Sequence, residues 1–371
     1  MKLLWRDLIE PKRRYLMKNY KMVCVACVLA ATFMITGYAD AQSSPGKPMQ
    51  LTVADMSPTT GTRAVFFQKA IKEIEQQTDG RIKTDVAWSE TLVKVKEAPK
   101  AIQRGICDIA WVSPAFHPAE YPLWTHFMTI LYHPKGEDAG YINRKAWELC
   151  DASKALRGDF EKMGQTAWFM CPYDSYTLYT KKLVKNLEDM KGMRIRVTGE
   201  GFAKMVKAMG GFGVFIPTPD VYSAFERGTV DGVLSNYETG KRYGFFEIAT
   251  YSVEVNVFIQ YAFSNVALAT LAKMSEKDRK TFMDVGRRVS IEYGDAMKKE
   301  REEYKDFMKG KGLKILPFPE KEREKWAETP GVKGLMKDWI EEQNKAGRPG
   351  TEVMKTFLKV FEIPQWMPAG Y

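Results

Sequence analysis

Anion binding by an arginine at the end of a strand is the first chemistry that this sequence suggests. Residues 193–197 read MRIRV, which alternates like a β-strand and places Arg194 and Arg196 on one side of it. A guanidinium keeps its charge and offers two parallel donors to a carboxylate, and the TGEG turn that follows leaves backbone accessible to an anion. By spacing alone, a surface arginine paired with an acidic neighbour is the commoner situation, and strand alternation does not separate Arg194 from Arg196.

Metal binding is a second candidate chemistry, because His117, His126 and His133 fall within seventeen residues. Their spacing matches neither an HExxH helix nor a zinc finger, and two of them precede proline. Cys107 lies in a predicted buried strand, where a thiol is normally inert. The sequence contains no GxSxG, P-loop or GxGxxG motif. We expect no cofactor, and an exported metal-dependent hydrolase that uses the histidine cluster is the alternative function.

Strand and helix patterns alternate along the chain. The first part predicts strands at 51–55, 81–87 and 107–111, with helices at 62–77 and 90–104. Later strands are predicted at 166–171, 193–197, 213–217, 230–234, 253–258 and 262–268, with helices at 201–209 and 220–226. Ser275 begins a capping box ahead of a long helix. This alternation predicts an α/β fold with mainly parallel sheets covered by helices on both faces.

The expected architecture is a two-lobed α/β fold with a long helix that crosses both lobes. Residues 42–172 and about 262–300 would form the N-terminal lobe, residues 173–261 the C-terminal lobe, and residues 301–371 a helical segment packed across both. Open α/β sheets bind ligands at the carboxyl ends of their strands. We therefore expect the functional site in the cleft between the lobes.

The N-terminus has the pattern of an export signal. Seven Lys and Arg residues fall within residues 1–21, an uncharged apolar run covers 22–36, and small residues at Ala39 and Ala41 predict cleavage after Ala41. Either a twin-arginine or an ordinary secretory signal fits, depending on whether Met1 or Met17 is the true start. The mature protein is expected to be exported.

Removal of residues 1–41 takes away seven basic and three acidic residues, so the net charge falls from +10 to +6. The remaining basic residues alternate with acidic ones along helices, a pattern that argues against a nucleic-acid partner. Three cysteines remain, which allows at most one disulfide in an oxidising compartment. We expect that disulfide to join Cys150 to Cys171.

Several motifs, in order along residues 50 to about 300, resemble the substrate-binding proteins of tripartite ATP-independent periplasmic (TRAP) transporters. They are KGMRIRV at 191–197, PDVYSAF at 219–225 with VDG at 230–232, AIQRGICD at 101–108 and LAKMSEKDR at 271–279. The resemblance implies that Arg196 holds a ligand carboxylate. It implies a periplasmic receptor, active as a monomer, that delivers a small organic acid to the membrane subunits of a transporter and catalyses no reaction.

The resemblance also implies further contacts, with one departure from the family pattern. Many members carry a second arginine where this sequence has Tyr176, which favours a monocarboxylate ligand in a pocket that Tyr173 and Tyr176 help to line. The family's asparagine falls at Asn236 or, without an insertion, at Ser235; we favour Asn236, whose amide both donates and accepts. Second-tier candidates follow strands of the N-terminal lobe, where each is as readily a cap or turn residue: Ser57, Thr60, Trp88, Glu90 and Ser113.

Overall fold

Two β-sheets, each covered by helices, organise the computed structural model, which describes residues 48–129, 138–257 and 261–371. The predicted signal peptide and His133 lie outside these residues. The strands are β1 Met49–Ala54, β2 Ile82–Ala87, β3 Ile109–Val112, β4 Gln165–Pro172, β5 Tyr176–Thr180, β6 Arg194–Val197, β7 Phe212–Phe215, β8 Gly232–Ser235, β9 Tyr251–Val257, β10 Tyr261–Ala267 and β11 Lys314–Pro317. The first sheet has the strand order β2-β1-β3-β10-β4, and the second has the order β11-β9-β5-β8-β6-β7.

Thirteen α-helices occur in the described residues. They are α1 Thr62–Gln77, α2 Ala98–Gln103, α3 Ala139–Ala152, α4 Lys154–Lys162, α5 Glu200–Ala208, α6 Val221–Glu226, α7 Tyr237–Arg242, α8 Phe245–Ile248, α9 Leu268–Leu271, α10 Glu276–Gly310, α11 Glu320–Ala327, α12 Pro330–Lys345 and α13 Gly350–Val360. None of the helices in the described ranges combines the length and apolar character needed to cross a membrane.

The α/β architecture follows the prediction, but the sheets are mixed rather than mainly parallel. In the first sheet β1 pairs in parallel with β2 and β3, whereas β10 runs antiparallel to β3 and β4. In the second sheet β6 pairs in parallel with β7 and β8, whereas β5 runs antiparallel to β8 and β9. The antiparallel pairs involve the strands that lead from one sheet to the other. Only three residues separate β4 from β5, and three separate β9 from β10, which is fewer than a crossover helix needs.

Alternating side chains on each sheet supply two apolar layers. On β10, Tyr261 and Phe263 point into one layer and Ala262 and Val266 into the other. The second sheet is likewise packed on both faces. We call the first sheet with its helices the first lobe, and the second sheet with its helices the second lobe.

The 35-residue helix α10 packs against both lobes, as the sequence predicts. Its N-terminus is capped where expected, because the Ser275 hydroxyl accepts a hydrogen bond from the Asp278 amide at 3.1 Å. The helix lies against α1, α3 and β4 of the first lobe and against α7 and β11 of the second. It therefore forms a common support for both sides of the cleft.

One helix is shorter than predicted. The periodicity suggests a helix over 90–104, but α2 begins only at Ala98 after a short 3₁₀ turn. Ser89 and Glu90 have positive φ values of 55° and 59°, which a helix does not allow. Pro99 in the first turn instead sets the beginning of α2, where its missing N–H costs nothing.

The predicted disulfide between Cys150 and Cys171 is wrong. Cys107, Cys150 and Cys171 are all buried free thiols. Cys150 belongs to the apolar layer on one face of the first sheet and Cys171 to the layer on the other face. Because the sheet lies between the two sulfurs, they are not in a position to form a bond.

Candidate functional site

Arg196 lies at the end of β6 and is buried, with 1% of the residue exposed. Its Nε donates to the Ile216 carbonyl oxygen at 3.0 Å and its Nη2 to the Thr218 hydroxyl at 2.9 Å. Its Nη1 lies 3.5 Å from the carbonyl oxygen of Leu234 on β8. All three acceptors are neutral, so they orient the guanidinium without balancing its charge.

A comparison with the other buried arginines shows what is unusual about Arg196. Arg63 on α1 forms an ion pair with Asp55 at 2.6 Å, and Arg301 on α10 forms one with Asp174 at 2.5 Å. Among the described residues no carboxylate lies within ion-pair distance of the Arg196 guanidinium. A buried charge without a counterion is energetically costly, by several kcal/mol.

The pKa values of the three buried arginines follow these charges. Burial lowers the pKa of Arg196 to about 10, and nearby Tyr176 opposes this shift only partly. Burial also acts on Arg63 and Arg301, but the adjacent carboxylates outweigh it and raise the pKa of both. Arg196 still carries its charge at neutral pH, and that charge lacks a partner carboxylate in the described chain.

The structure separates Arg194 from Arg196, which the strand pattern does not. The Arg194 side chain is half exposed at the start of β6 and donates to both Asp231 carboxylate oxygens, at 2.9 and 3.0 Å. Arg194 is therefore the surface arginine with an acidic neighbour. Arg196, two residues further along the same face, lies inside.

Tyr176 begins β5 and Asn236 directly follows β8, the strand that lies between β5 and Arg196 on β6. Asn236 is buried and caps α7, since its side-chain oxygen accepts from the Thr239 amide at 2.8 Å. Tyr176, on β5, stacks on Phe202 with ring centroids 5.6 Å apart. Burial raises the pKa of Tyr176 to about 12, so its hydroxyl stays protonated and is able to donate a hydrogen bond. The cap consumes the acceptor oxygen of Asn236 and leaves its amide NH₂ group as the donor.

Ser57 and Tyr173 line a small cavity between the lobes. It has a volume of about 30 Å³ and is bounded on the first-lobe side by residues that include Ser57, Arg63 and Tyr173. Glu238 and Arg242 of α7 bound it on the second-lobe side. This arrangement places residues of both lobes and, through Tyr293 and Met297, of the long helix around one small space.

Three further residues line this cavity and were not predicted from the sequence: Arg63, Glu238 and Arg242. A signal for Arg63 existed, because it lies four residues before Phe67 on the buried stripe of α1. Glu238 and Arg242 have the i,i+4 spacing of an ordinary surface ion pair on a helix, and nothing in their spacing distinguishes them.

Three other predicted site residues, Ser113, Glu90 and Trp88, make contacts within the first lobe. The Ser113 hydroxyl donates to the Tyr261 carbonyl oxygen at 3.1 Å and is fully buried. The Glu90 carboxylate accepts from the Val95 amide at 2.8 Å. Trp88 packs edge-on against Phe67 of the first lobe. None of these three residues lines the cavity that holds Ser57 and Tyr173.

The two described histidines are engaged in the core of the first lobe. The His117 ring nitrogens lie 2.7 Å from the Val95 carbonyl oxygen and 2.8 Å from that of Ser113. His126 is buried against the rings of Trp339 and Phe357, and burial lowers its pKa to about 3. No group of three metal-ligating side chains with suitable geometry occurs in the described part of the chain.

Sequence and structure comparisons identify related proteins. The sequence model described as bacterial extracellular solute-binding protein, family 7, matches residues 52–340. A solute-binding protein from Chromohalobacter salexigens is 22% identical over 308 residues, which cover 80% of this chain and 86% of the relative.

Solved structures share the two-lobed fold. A TRAP periplasmic solute binding protein from Desulfovibrio salexigens matches with a TM-score of 0.76 and 22% identity, over 85% of this chain and 96% of that one. An extracytoplasmic solute receptor from Bordetella pertussis that binds pyroglutamic acid matches with a TM-score of 0.71 and 21% identity, over 83% of this chain and 99% of that one. At this level of identity the likeness concerns the fold.

Proposed function

The chain belongs to bacterial extracellular solute-binding protein family 7, as its motifs predict, and we propose that it binds the carboxylate group of a small organic acid between its lobes. The main support for this proposal is the guanidinium of Arg196, which is buried and has no carboxylate of the described chain within ion-pair distance. Three of its five N–H groups have neutral acceptors, which leaves two for a ligand. A bound carboxylate would balance the buried charge and form charge-assisted hydrogen bonds away from water.

Asn236 and Tyr176 would complete the carboxylate site. Both are buried next to Arg196, and each offers a donor, an amide NH₂ and a phenol OH respectively. A negatively charged group that meets an arginine and two neutral donors is favoured over a neutral or positive one. The Bordetella pertussis receptor, which has a similar fold, binds pyroglutamic acid, which is a small organic acid.

Binding would require the lobes to move apart and close again. The cavity of about 30 Å³ accommodates about one water molecule and is too small for an organic acid. Among the described elements, the β4–β5 connection and the helices α10 and α12 join the lobes; α12 contributes Val332 to the second-lobe core and Met336 to the first-lobe core. Arg301 on α10 contacts the β4–β5 connection through Asp174 at 2.5 Å and the end of β9 through Asn256 at 3.1 Å, and is suited to act at the hinge.

We further propose that the protein is an exported monomeric receptor that presents its closed, loaded form to the membrane subunits of a TRAP transporter. Family membership supports the extracellular solute-binding role. The N-terminal charge and apolar pattern supports export with cleavage after Ala41. Delivery of an unchanged solute requires no catalytic group. A hydrolase that uses the histidines is not favoured, because His117 and His126 are engaged in the first-lobe core.

A thermal-shift screen of the chain from residue 42 tests this function. Organic acids are compared with their neutral primary amides, which match them in shape but lack the negative charge. A ligand at a hundred times its dissociation constant adds about 2.7 kcal/mol to stability. Selective stabilisation by one class of acid, absent for its amide, is expected. Equal stabilisation by acids and amides, or stabilisation by divalent metals alone, would contradict the proposal.

A further inference from the structure

We propose that the cavity opposite Arg196 selects acids that carry one carboxylate and, at their other end, a neutral hydrogen-bond donor. The inference rests on the proposed function and names the ligand class for that site. It follows from the charges that line the cavity, which are Arg63 on the first-lobe side and Glu238 and Arg242 on the second-lobe side.

The first-lobe cation is already neutralised. Both terminal nitrogens of Arg63 donate to Asp55, at 2.8 and 2.6 Å, and they also donate to the hydroxyls of Ser57 and Ser264. The Nε of Arg63 donates to the sulfur of Cys171 at 3.4 Å. Because all three nitrogens have partners and the charge is balanced, Arg63 offers little to a second carboxylate.

The second-lobe cation is also paired. The Nε of Arg242 lies 3.4 Å from Oε1 of Glu238, four residues earlier on α7. The negative charge of Glu300, on α10, also acts on Glu238. Each of the two basic groups that line the cavity therefore has an acidic partner, Asp55 for Arg63 and Glu238 for Arg242, and a second ligand carboxylate would meet no unmatched cation there.

Glu238 instead offers an acceptor to the ligand. Its Oε2 accepts from the Thr239 hydroxyl at 3.2 Å, whereas its Oε1 faces the first lobe, 3.9 Å from where a side chain on Gly61 would begin. The carboxylate is mostly buried, with 18% of the side chain exposed. An N–H or O–H group on the ligand would form a charge-assisted hydrogen bond with Oε1 in a largely dry setting.

Tyr176 links this acceptor to the carboxylate site. Tyr176 is next to Thr177, which pairs with Ser235 of β8, and on the other side of β8 Val233 pairs with Arg196 of β6. The same strand β8 leads directly into α7, which carries Glu238. The charges of both Arg196 and Glu238 act on the Tyr176 phenol. A small acid that contacts Arg196 with its carboxylate would extend past Tyr176 toward Glu238.

Matched ligand pairs test the inference by isothermal titration calorimetry. The first set comprises succinate, glutarate and adipate with their monoamides, in which one carboxylate is replaced by an amide donor of the same shape. The second pair is pyroglutamate and its lactone analogue, 5-oxotetrahydrofuran-2-carboxylate, in which a ring oxygen replaces the N–H donor. We expect the monoamides and pyroglutamate to bind about ten-fold tighter, or more, than their partners.

Glu238→Gln supplies the decisive variant. It removes the charge that pairs with Arg242, so the freed guanidinium should improve dicarboxylate binding and shrink the preference about ten-fold. Asp284→Asn is the matched control, because it removes one negative charge from an exposed helical pair with Lys280 on α10. The control should keep the wild-type preference, and circular dichroism should show both variants folded.

The outcomes separate this inference from the proposed function. Equal binding within the pairs, no binding of any donor-bearing monoacid, or an unchanged preference in Glu238→Gln would overturn the inference, even where another acid binds through Arg196. Binding that survives Arg196→Met would overturn the proposed function itself. A preference that is present in the wild type, reduced in Glu238→Gln and kept in Asp284→Asn would support the ligand class.

Discussion

Replacing Arg196 with methionine should weaken ligand binding strongly while changing the stability of the unliganded fold only modestly. Methionine keeps much of the side-chain volume and removes the guanidinium. Loss of one partner from a buried, hydrogen-bonded charge pair costs about 2–5 kcal/mol, which is roughly a 30-fold to several thousand-fold loss of affinity. Because the proposed ligand contacts Arg196 through its carboxylate, the loss should be largest for carboxylates.

The effect on the unliganded protein follows from the pKa of Arg196. Burial lowers that pKa from 12.5 to about 10, so the charged side chain costs the folded state about 3 kcal/mol below pH 10, as in any neutral buffer. The substitution removes this cost but leaves the Ile216 carbonyl and the Thr218 hydroxyl without a donor, at about 1–3 kcal/mol. The two contributions oppose each other, and the net change should lie within about 2 kcal/mol of zero.

Arg301→Met is the matched comparison, because Arg301 is equally buried but paired. Its removal leaves Asp174 and Glu254 without the guanidinium that they contact at 2.5 and 3.1 Å. Breaking a buried pair in this way costs about 3–5 kcal/mol. Urea unfolding at pH 7.5 measures both variants, and calorimetry with the best acid from the screen measures binding.

Two results would refute the reasoning about Arg196. If Arg196→Met destabilised the protein as much as Arg301→Met, the Arg196 charge would be balanced within the unliganded fold, contrary to the geometry. If Arg196→Met bound the acid with wild-type affinity, the guanidinium would not contact the ligand.

Three further predictions concern the fold. Gly286→Ala should lower the free energy of unfolding by about 1–3 kcal/mol in urea, since its Cβ would lie 2.1 Å from the Trp168 indole nitrogen. Gly158→Ala is the control and should be neutral or stabilising, because no atom lies within 4 Å of the position of its Cβ. Equal effects of the two substitutions would contradict this prediction. Burial lowers the pKa of His126 to about 3, below its value in the unfolded chain, so stability should fall as the pH drops below about 6.5, by about 3 kcal/mol at pH 4. His126→Phe should remove that part of the loss of stability at low pH. If the pH dependence of the unfolding free energy stayed unchanged in this variant, His126 would not be its source. Thiol titration of the denatured chain from residue 42 should find three free thiols, and a reductant should leave the unfolding midpoint unchanged. A titration that finds fewer than three thiols would show that a disulfide is present.

Local patterns in the sequence were enough to predict much of the fold. Apolar spacing predicted the helix over 62–77 with the bounds that α1 has, and Ser275 predicted the start of α10. Both rest on contacts between residues a few positions apart, which periodicity and capping report directly. The predicted helix over 90–104 was wrong in its first half, because turn geometry at Ser89 and Glu90 overrides the apolar spacing there.

The candidate site depended on contacts between distant parts of the chain. The sequence by itself determined that Arg196 ends a strand next to a glycine turn, and it marked Tyr176 and Asn236 as neighbours of interest through family motifs. Only the tertiary structure decided that Arg194 meets Asp231 at the surface while Arg196 stays buried without an acid. The difference is physical, because strand alternation reports which side of a strand a residue faces, whereas the pairing of a charge depends on what the rest of the chain brings within a few ångströms of it.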